Sequence, residues 1–188
     1  MGERKIYILL SDTGTLFTRM IKLYTKKPYN HASISFDPYF TEVYSFGRKQ
    51  PHNPFIGGFV REDIRDGLFT HARGAIYSCT ATDEQIRYML DYIKKIEAQK
   101  HLYRYNLLGL FFLTFNKRMD RKHAFFCSEF VATVLNKGNV VQFDKALSFV
   151  TPHDFHEVDT FQLEYQGDLA DIFSVENQFF FNTSIIQG

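Results

Sequence analysis

Apolar residues along this chain switch repeatedly between strand spacing and helix spacing, and the switches follow no regular alternation. Lys5 to Leu10 is a compact apolar run of strand length. After the turn Ser11-Asp12-Thr13-Gly14, Leu16, Phe17, Met20, Ile21 and Tyr24 recur at helical spacing between Thr15 and Tyr24, and Pro28 follows the stop. His31 to Phe36 alternates with period two, placing Ala32, Ile34 and Phe36 on one face and His31, Ser33 and Ser35 on the other. Asp37-Pro38 turns the chain, and Thr41 to Phe46 reads as the second arm of a hairpin or meander. Gly47 to Gly58 carries Pro51, Pro54 and Gly57-Gly58, and reads as an ordered excursion over the sheet. Ala75 to Ala81 is a strand that hands over at Thr82 to a helix. Gln85, three residues on, completes a capping box, and Ile86, Met89, Leu90, Ile93 and Ile96 form the buried stripe.

A further helix starts near Phe126, with Phe130, Val131, Val134 and Leu135 on its inner side and Lys137-Gly138 as its stop. Thr151-Pro152 begins a short helix, and Phe161 to Tyr165 a last strand. Without regular strand-helix-strand units, this order predicts an α+β fold with a mainly antiparallel sheet rather than a doubly wound one. A length of 188 residues, with no internal repeat or linker, predicts a single domain over residues 1–188. Hydrophobic residues make up 45 % and aromatic residues 17 % with no Trp, so the interior must be built on Phe and Tyr.

The formal net charge of +1 argues against a dedicated nucleic-acid or acidic-membrane surface, which usually needs a concentrated basic face. Lys117-Arg118 with Arg121-Lys122 reads as a solvated loop. Two cysteines make no disulfide framework and fit a reducing compartment. The opening MGERKIYILLSDTG lacks an apolar signal core, and Ile6 stands where a myristoylation motif needs Ser or Thr. The most apolar run, Leu107 to Phe115, falls short of the roughly 20 residues that cross a bilayer. A cytoplasmic protein without a transmembrane segment is the expectation.

Cys127 stands at an expected helix start, where unpaired N–H groups and the helix dipole favour a thiolate. The same groups can donate to an oxyanion. A free Cys there also serves as a small buried hydrophobe. Cys79 lies within a strand and is structural. Among the seven histidines His31 is the best placed base, because Ser33 and Ser35 make its strand face polar enough to border a cleft. His52, His71, His101 and His123 fall in expected loops or helix ends. His153 and His156 resemble half a metal site, but no second compact ligand pair accompanies them, so neither metal nor cofactor is expected.

Asn30-His31-Ala32-Ser33-Ile34, followed about a hundred residues later by Phe126-Cys127-Ser128-Glu129-Phe130-Val131, resembles the circularly permuted papain-like proteins. The nearest likeness is the YiiX-like branch of the NlpC superfamily, related to lecithin retinol acyltransferase. In these proteins the histidine strand precedes the cysteine helix, and the site is defined by geometry rather than chain order. The likeness extends over roughly residues 5 to 165, including the Tyr103 to Gly109 stretch and Thr151-Pro152. It implies a circularly permuted papain-like fold, with the sheet or a partial barrel packed by helices.

Carried over, the resemblance makes Cys127 the nucleophile and His31 the base and later the acid. It also implies a third polar residue on the strand after the histidine strand, where Glu42 and Ser45 are the candidates. They have opposite parity and should not face the same way. Glu42 is preferred because a carboxylate stabilises imidazolium, and Ser45 is kept as a contact to substrate. Tyr103 or Tyr105 would line the site beside the oxyanion, while Glu129 should point away. The implied activity is a thiol hydrolase, a cysteine peptidase, amidase or acyltransferase, acting on an amide or ester. Its partner would be a peptide or isopeptide, a lipid or another small molecule. A non-catalytic binding module retaining the cleft and a redox-sensing thiol are the rivals. The Phe179 to Phe181 tail would pack on the domain or on a second copy, a homodimer.

Overall fold

A computed structural model defines residues 2–14, 26–50, 53–105 and 124–172. Within them β1 (Glu3–Asp12) lies near the middle of a six-stranded sheet and pairs antiparallel on both sides. On one side comes β2 (His31–Ser35), then β3 (Val43–Gln50) and β4 (Asn53–Glu62); on the other β5 (Arg73–Thr82) and β8 (Gln162–Asp168). Every pairing in this sheet is antiparallel. The fold is therefore mixed α+β with a mostly antiparallel sheet. A separate parallel pair, β6 (Arg104–Tyr105) and β7 (Ala124–Phe125), brings the chain to the cysteine helix.

The apolar run in β1 is continuous because both faces of the sheet are covered. Ile6, Ile8 and Leu10 join Ala32, Ile34, Phe46, Phe59, Ala75, Tyr77 and Cys79 in one core. Tyr7 and Leu9 point the other way, into a second core with Phe40, Val43, Ile64, Phe69, Ile76, Leu169 and Ile172. Burying one such large apolar side chain contributes about 1.5–3 kcal/mol. Two helices close the first face: α1 (Asp83–Ala98) and α2 (Cys127–Lys137), with α3 (Leu169–Ile172) against the second. No helix among the described residues is long and apolar enough to cross a membrane.

The capping box of α1 forms as expected. Thr82 Oγ1 accepts from the Gln85 N–H at 3.2 Å, and Gln85 Oε1 accepts from the Thr82 N–H at 2.9 Å. The end of α2 differs in detail. Asn139, at φ 52°, takes the left-handed position expected of Gly138, and the Val140 N–H donates to the Leu135 carbonyl at 3.0 Å. Gly138 serves another purpose: a Cβ there would lie 2.6 Å from Met89 Cγ and 3.2 Å from the Gln85 carbonyl, so its absence lets α2 meet α1.

One expectation is overturned. Gly47 to Gly58 is no excursion; β3 and β4 form a hairpin, with Gly47 opposite Gly58 and Gln50 opposite Asn53. Pro54 is compatible with a strand because β4 is the sheet edge and Pro54 falls at the irregularity between Arg48 and Gln50, where the register gives it no partner. The expected helix over Thr15 to Tyr24, the Leu107 to Phe115 run, the basic cluster and the Phe179 to Phe181 tail lie outside the described residues.

Candidate functional site

The register of the central strands places His31. It is the first residue of β2, opposite Ser11 of β1. The Asn30 N–H donates to the Ser11 carbonyl at 3.1 Å, and Asn30 Nδ2 donates to Asp12 Oδ1 at 3.1 Å, so the backbone just before the imidazole is tied down twice.

Glu62, the last residue of β4, reaches this imidazole across β3: its Oε1 lies 2.7 Å from His31 Nε2. Val43 sits opposite Glu62 and Tyr44 opposite Ile34, so continuing the register sets His31 alongside Gly47. A Cβ on Gly47 would be 3.5 Å from His31 Cε1 and 3.6 Å from Glu62 Oε1. Those are ordinary contact distances, so Gly47 lies directly beside the point where histidine and carboxylate meet. The second Glu62 oxygen accepts a hydrogen bond from Ser33 Oγ. Both ion-pair side chains are largely withdrawn from solvent, His31 at 15 % exposed and Glu62 at 9 %. Phe69 covers the imidazole, its ring centroid 6.4 Å away.

Ser45 joins the same group. Its Oγ lies 3.2 Å from His31 Nε2 and donates to the Ala32 carbonyl at 3.0 Å. With its hydrogen used there, Ser45 can only accept from the imidazole, as can the Glu62 carboxylate. Nε2 therefore carries a hydrogen, and Cys127 lies near enough to act electrostatically on the same ring. Burial alone would lower the imidazole's pKa, but the attraction of Glu62, and after it Cys127, outweighs burial and holds His31 well above the usual histidine value.

Cys127 is the first residue of α2, and the residue before it is unusual for a helix start. Phe126 is the N-cap and offers no side-chain acceptor, where Ser, Thr, Asp or Asn typically adds about 1 kcal/mol. The Phe126 N–H is satisfied by Glu129 Oε2 at 3.3 Å. The amides that follow it start the helix without a capping side chain, a cost to stability. Ser128 Oγ donates to the Val150 carbonyl at 2.6 Å, strapping the helix start to the segment after it.

The structure brings together Cys127, His31 and Ser45 of the residues singled out above. It does not bring Glu42. That carboxylate is 52 % exposed, pairs with Arg61 at 2.9 Å and accepts from the Tyr44 hydroxyl at 2.8 Å. Its neighbour Tyr44 belongs to the first core, whereas Ser45 shares the face of His31. Glu62 is the carboxylate sequence reasoning missed, because its strand was read as an excursion. Tyr103 stacks on Phe125, with ring centroids 5.9 Å apart, and meets Phe46 edge-on at 6.1 Å, so it is part of the first core. Tyr105 is placed by backbone alone, opposite Phe125 in the parallel pair. The face of Ser33 and Ser35, expected to border a cleft, is buried instead, and Ser35 donates into the Asp37 turn.

Comparison with family models, with curated proteins and with solved structures gave no match. Among the described residues no three His, Cys, Asp or Glu side chains gather as a metal-binding set. What the geometry offers chemically is an imidazole whose Nε2 hydrogen is held by a buried carboxylate, with a thiol nearby.

Proposed function

We propose that this protein is a thiol hydrolase or acyltransferase of the permuted papain-like type, with Cys127 as nucleophile, His31 as proton carrier and Glu62 as the group that orients and charges the imidazole. The observation that carries this is the buried pairing of His31 Nε2 with Glu62 Oε1 at 2.7 Å, with Cys127 near enough to act on the same imidazole. The strand-then-helix order and the segments around His31 and Cys127, which resemble that family, support it.

The Cys127 sulfur attacks the carbonyl carbon of an amide or ester, with its proton held on His31 as imidazolium. A C–S bond forms and the carbonyl oxygen takes up negative charge beside the first amides of α2. The C–N or C–O bond then breaks as imidazolium passes its proton to the departing amine or alcohol. Water, or an acceptor amine or alcohol, gives a proton to His31 as it attacks the thioester, and Cys127 leaves as thiol or thiolate. Glu62 stabilises the imidazolium at both stages.

Intact-mass measurement after incubation with activated esters tests the reading. An acyl adduct mapped to Cys127, which decays in water and does not form in the His31→Ala variant, is expected. Absence of any adduct on Cys127, or an adduct formed equally fast without His31, overturns it. One observation favours a second reading, a binding module that keeps the constellation without turnover: Cys127 is only 5 % exposed. A thiol inert to small electrophiles in the folded protein would decide for it.

A further inference from the structure

The sheet face turned away from His31, Ser45 and Glu62 carries a cavity of about 120 Å³ whose walls take no part in the chemistry above. Its place follows from register. Leu10, Ala75 and Gln166 stand in one row across β1, β5 and β8. The next row holds Ser11 opposite His31, so its side chains leave from the other face. Ala75, in the middle of the row, carries only a methyl group, which leaves room between its larger neighbours. Leu10 and Tyr77 are buried and form the floor, while Pro28, His156 and Gln166 are exposed and frame the mouth.

The walls state what they would accept. No Lys, Arg, Asp or Glu is among the described lining residues, and the surfaces of Leu10, Pro28 and the Tyr29 and Tyr77 rings favour an uncharged occupant. An apolar cavity of roughly 150 Å³ takes one benzene ring, so the volume here suits a single six-membered ring with its edge at the mouth. The hydrogen bonds narrow the choice further. The Tyr77 hydroxyl and His156 Nδ1 satisfy each other at 2.7 Å, and His153 Nε2 lies 3.4 Å from Glu157 Oε1. Gln166 Nε2 donates to the Tyr29 hydroxyl oxygen at 2.9 Å. That bond leaves the Tyr29 hydroxyl hydrogen and Gln166 Oε1 without a partner among the described residues. One spare donor and one spare acceptor thus belong to two groups that are bonded to each other. A single hydroxyl can serve both, accepting from Tyr29 and donating to Gln166; a bare hydrocarbon can serve neither.

We propose that this cavity is a ligand site, separate from the thiol, for a small uncharged ring that bears a hydroxyl, phenol being the simplest member of the class. The ring lies on Leu10 and Pro28, and its hydroxyl sits at the mouth between Tyr29 and Gln166. The site does not depend on the reading of Cys127 as a nucleophile.

The full chain is titrated with phenol, toluene and benzoate while the Tyr77 and His156 ring signals are followed by NMR. Phenol should give saturable shifts, toluene should bind about tenfold more weakly for want of the hydroxyl, and benzoate should give no saturable shift. Tyr29→Phe and Gln166→Leu, at half-buried and exposed positions, should each bring phenol down towards toluene. Toluene itself should stay within about twofold in both variants, which reports that the cavity is intact. Cys127→Ala should bind phenol as wild type does. N-acetyltyrosinamide distinguishes the sources of the ligand: binding as tight as phenol's assigns a tyrosyl side chain, and its exclusion assigns a free phenol. Absence of saturable shifts with phenol overturns the site. Phenol and toluene binding alike, benzoate matching phenol, or phenol indifferent to both substitutions overturns the ligand class. Loss of phenol binding in Cys127→Ala overturns the separation from the thiol.

Discussion

Cys79 and Cys127 are buried to nearly the same extent, 6 % and 5 % exposed, and yet they occupy opposite chemical settings. Cys79 sits mid-strand in β5, opposite Ile6, and burial pushes its thiol up to about 12. Cys127 begins a helix and lies near an imidazole that a buried carboxylate holds. Under the proposed function, equal burial with different neighbours means that surroundings, not accessibility, assign reactivity. A desolvated thiol with only apolar contacts stays protonated, while one beside a histidine has somewhere to send its proton.

The comparison breaks most visibly if the cysteines are exchanged for alanine one at a time. Cys127→Ala should lower ester turnover on the order of 10³-fold or more. Cys79→Ala should leave turnover within about twofold and cost about 1 kcal/mol of stability in denaturant titration, the typical scale for one core change. Next in size is His31→Ala, expected to slow acylation of Cys127 on the order of 10²–10⁴-fold, the usual weight of a general acid–base group.

Glu62→Gln should come third, at about ten- to a hundredfold in kcat/KM. That is less than the ~10⁴ lost when a triad aspartate becomes asparagine, because Ser45 still accepts from Nε2–H. The pH dependence gives it a signature. His31 is held above its ordinary value, so its ionic contribution is complete below the unfolded-state value of about 6.5 and is lost as pH rises through the raised folded value. Removing the carboxylate should draw the alkaline limb of the rate profile down towards neutral. It should also shrink the loss of melting temperature that wild type shows across that alkaline window. Glu42→Gln, which weakens the exposed pair with Arg61 and the bond from the Tyr44 hydroxyl, should leave both profiles unmoved and cost about 1 kcal/mol. The smallest change with a resolvable effect is Ser45→Ala, a few-fold in rate and about 1–2 kcal/mol in stability, since it strips one acceptor from His31 and the donor to the Ala32 carbonyl.

The same contrast explains what the sequence could disclose. The cysteine helix, the histidine strand and the α1 capping box were legible because each is a local pattern: a period, a cap, a stop. The parity of Ser45 against Glu42 was legible too, and parity rather than acidity turned out to choose the residue that reaches His31. Glu62 was not legible, because its role depends on a strand whose prolines and glycines read as turn chemistry. Pro54 is tolerated by virtue of β4 being an edge with an irregular register there, properties of the assembled sheet. Gly47 and Gly58 face each other within the hairpin ladder, and Gly47 lies beside the point where Glu62 reaches His31 over β3. No sequence window contains that fact. The buried fate of Ser33 and Ser35 was hidden for a related reason: polar alternation suggests a wet face, but here a second core covers it, and Glu62 and the Asp37 turn satisfy the hydroxyls.

The most direct test uses both thiols in one molecule. Native protein is exposed to iodoacetamide at neutral pH, quenched over time, and each cysteine's alkylation is followed by peptide mass spectrometry in wild type and in His31→Ala. The account predicts that Cys127 reacts on the order of a hundredfold faster than Cys79, and that loss of His31 removes most of the difference while the fold persists by circular dichroism. Two cysteines reacting at the same slow rate, or a fast Cys127 indifferent to His31, would contradict it.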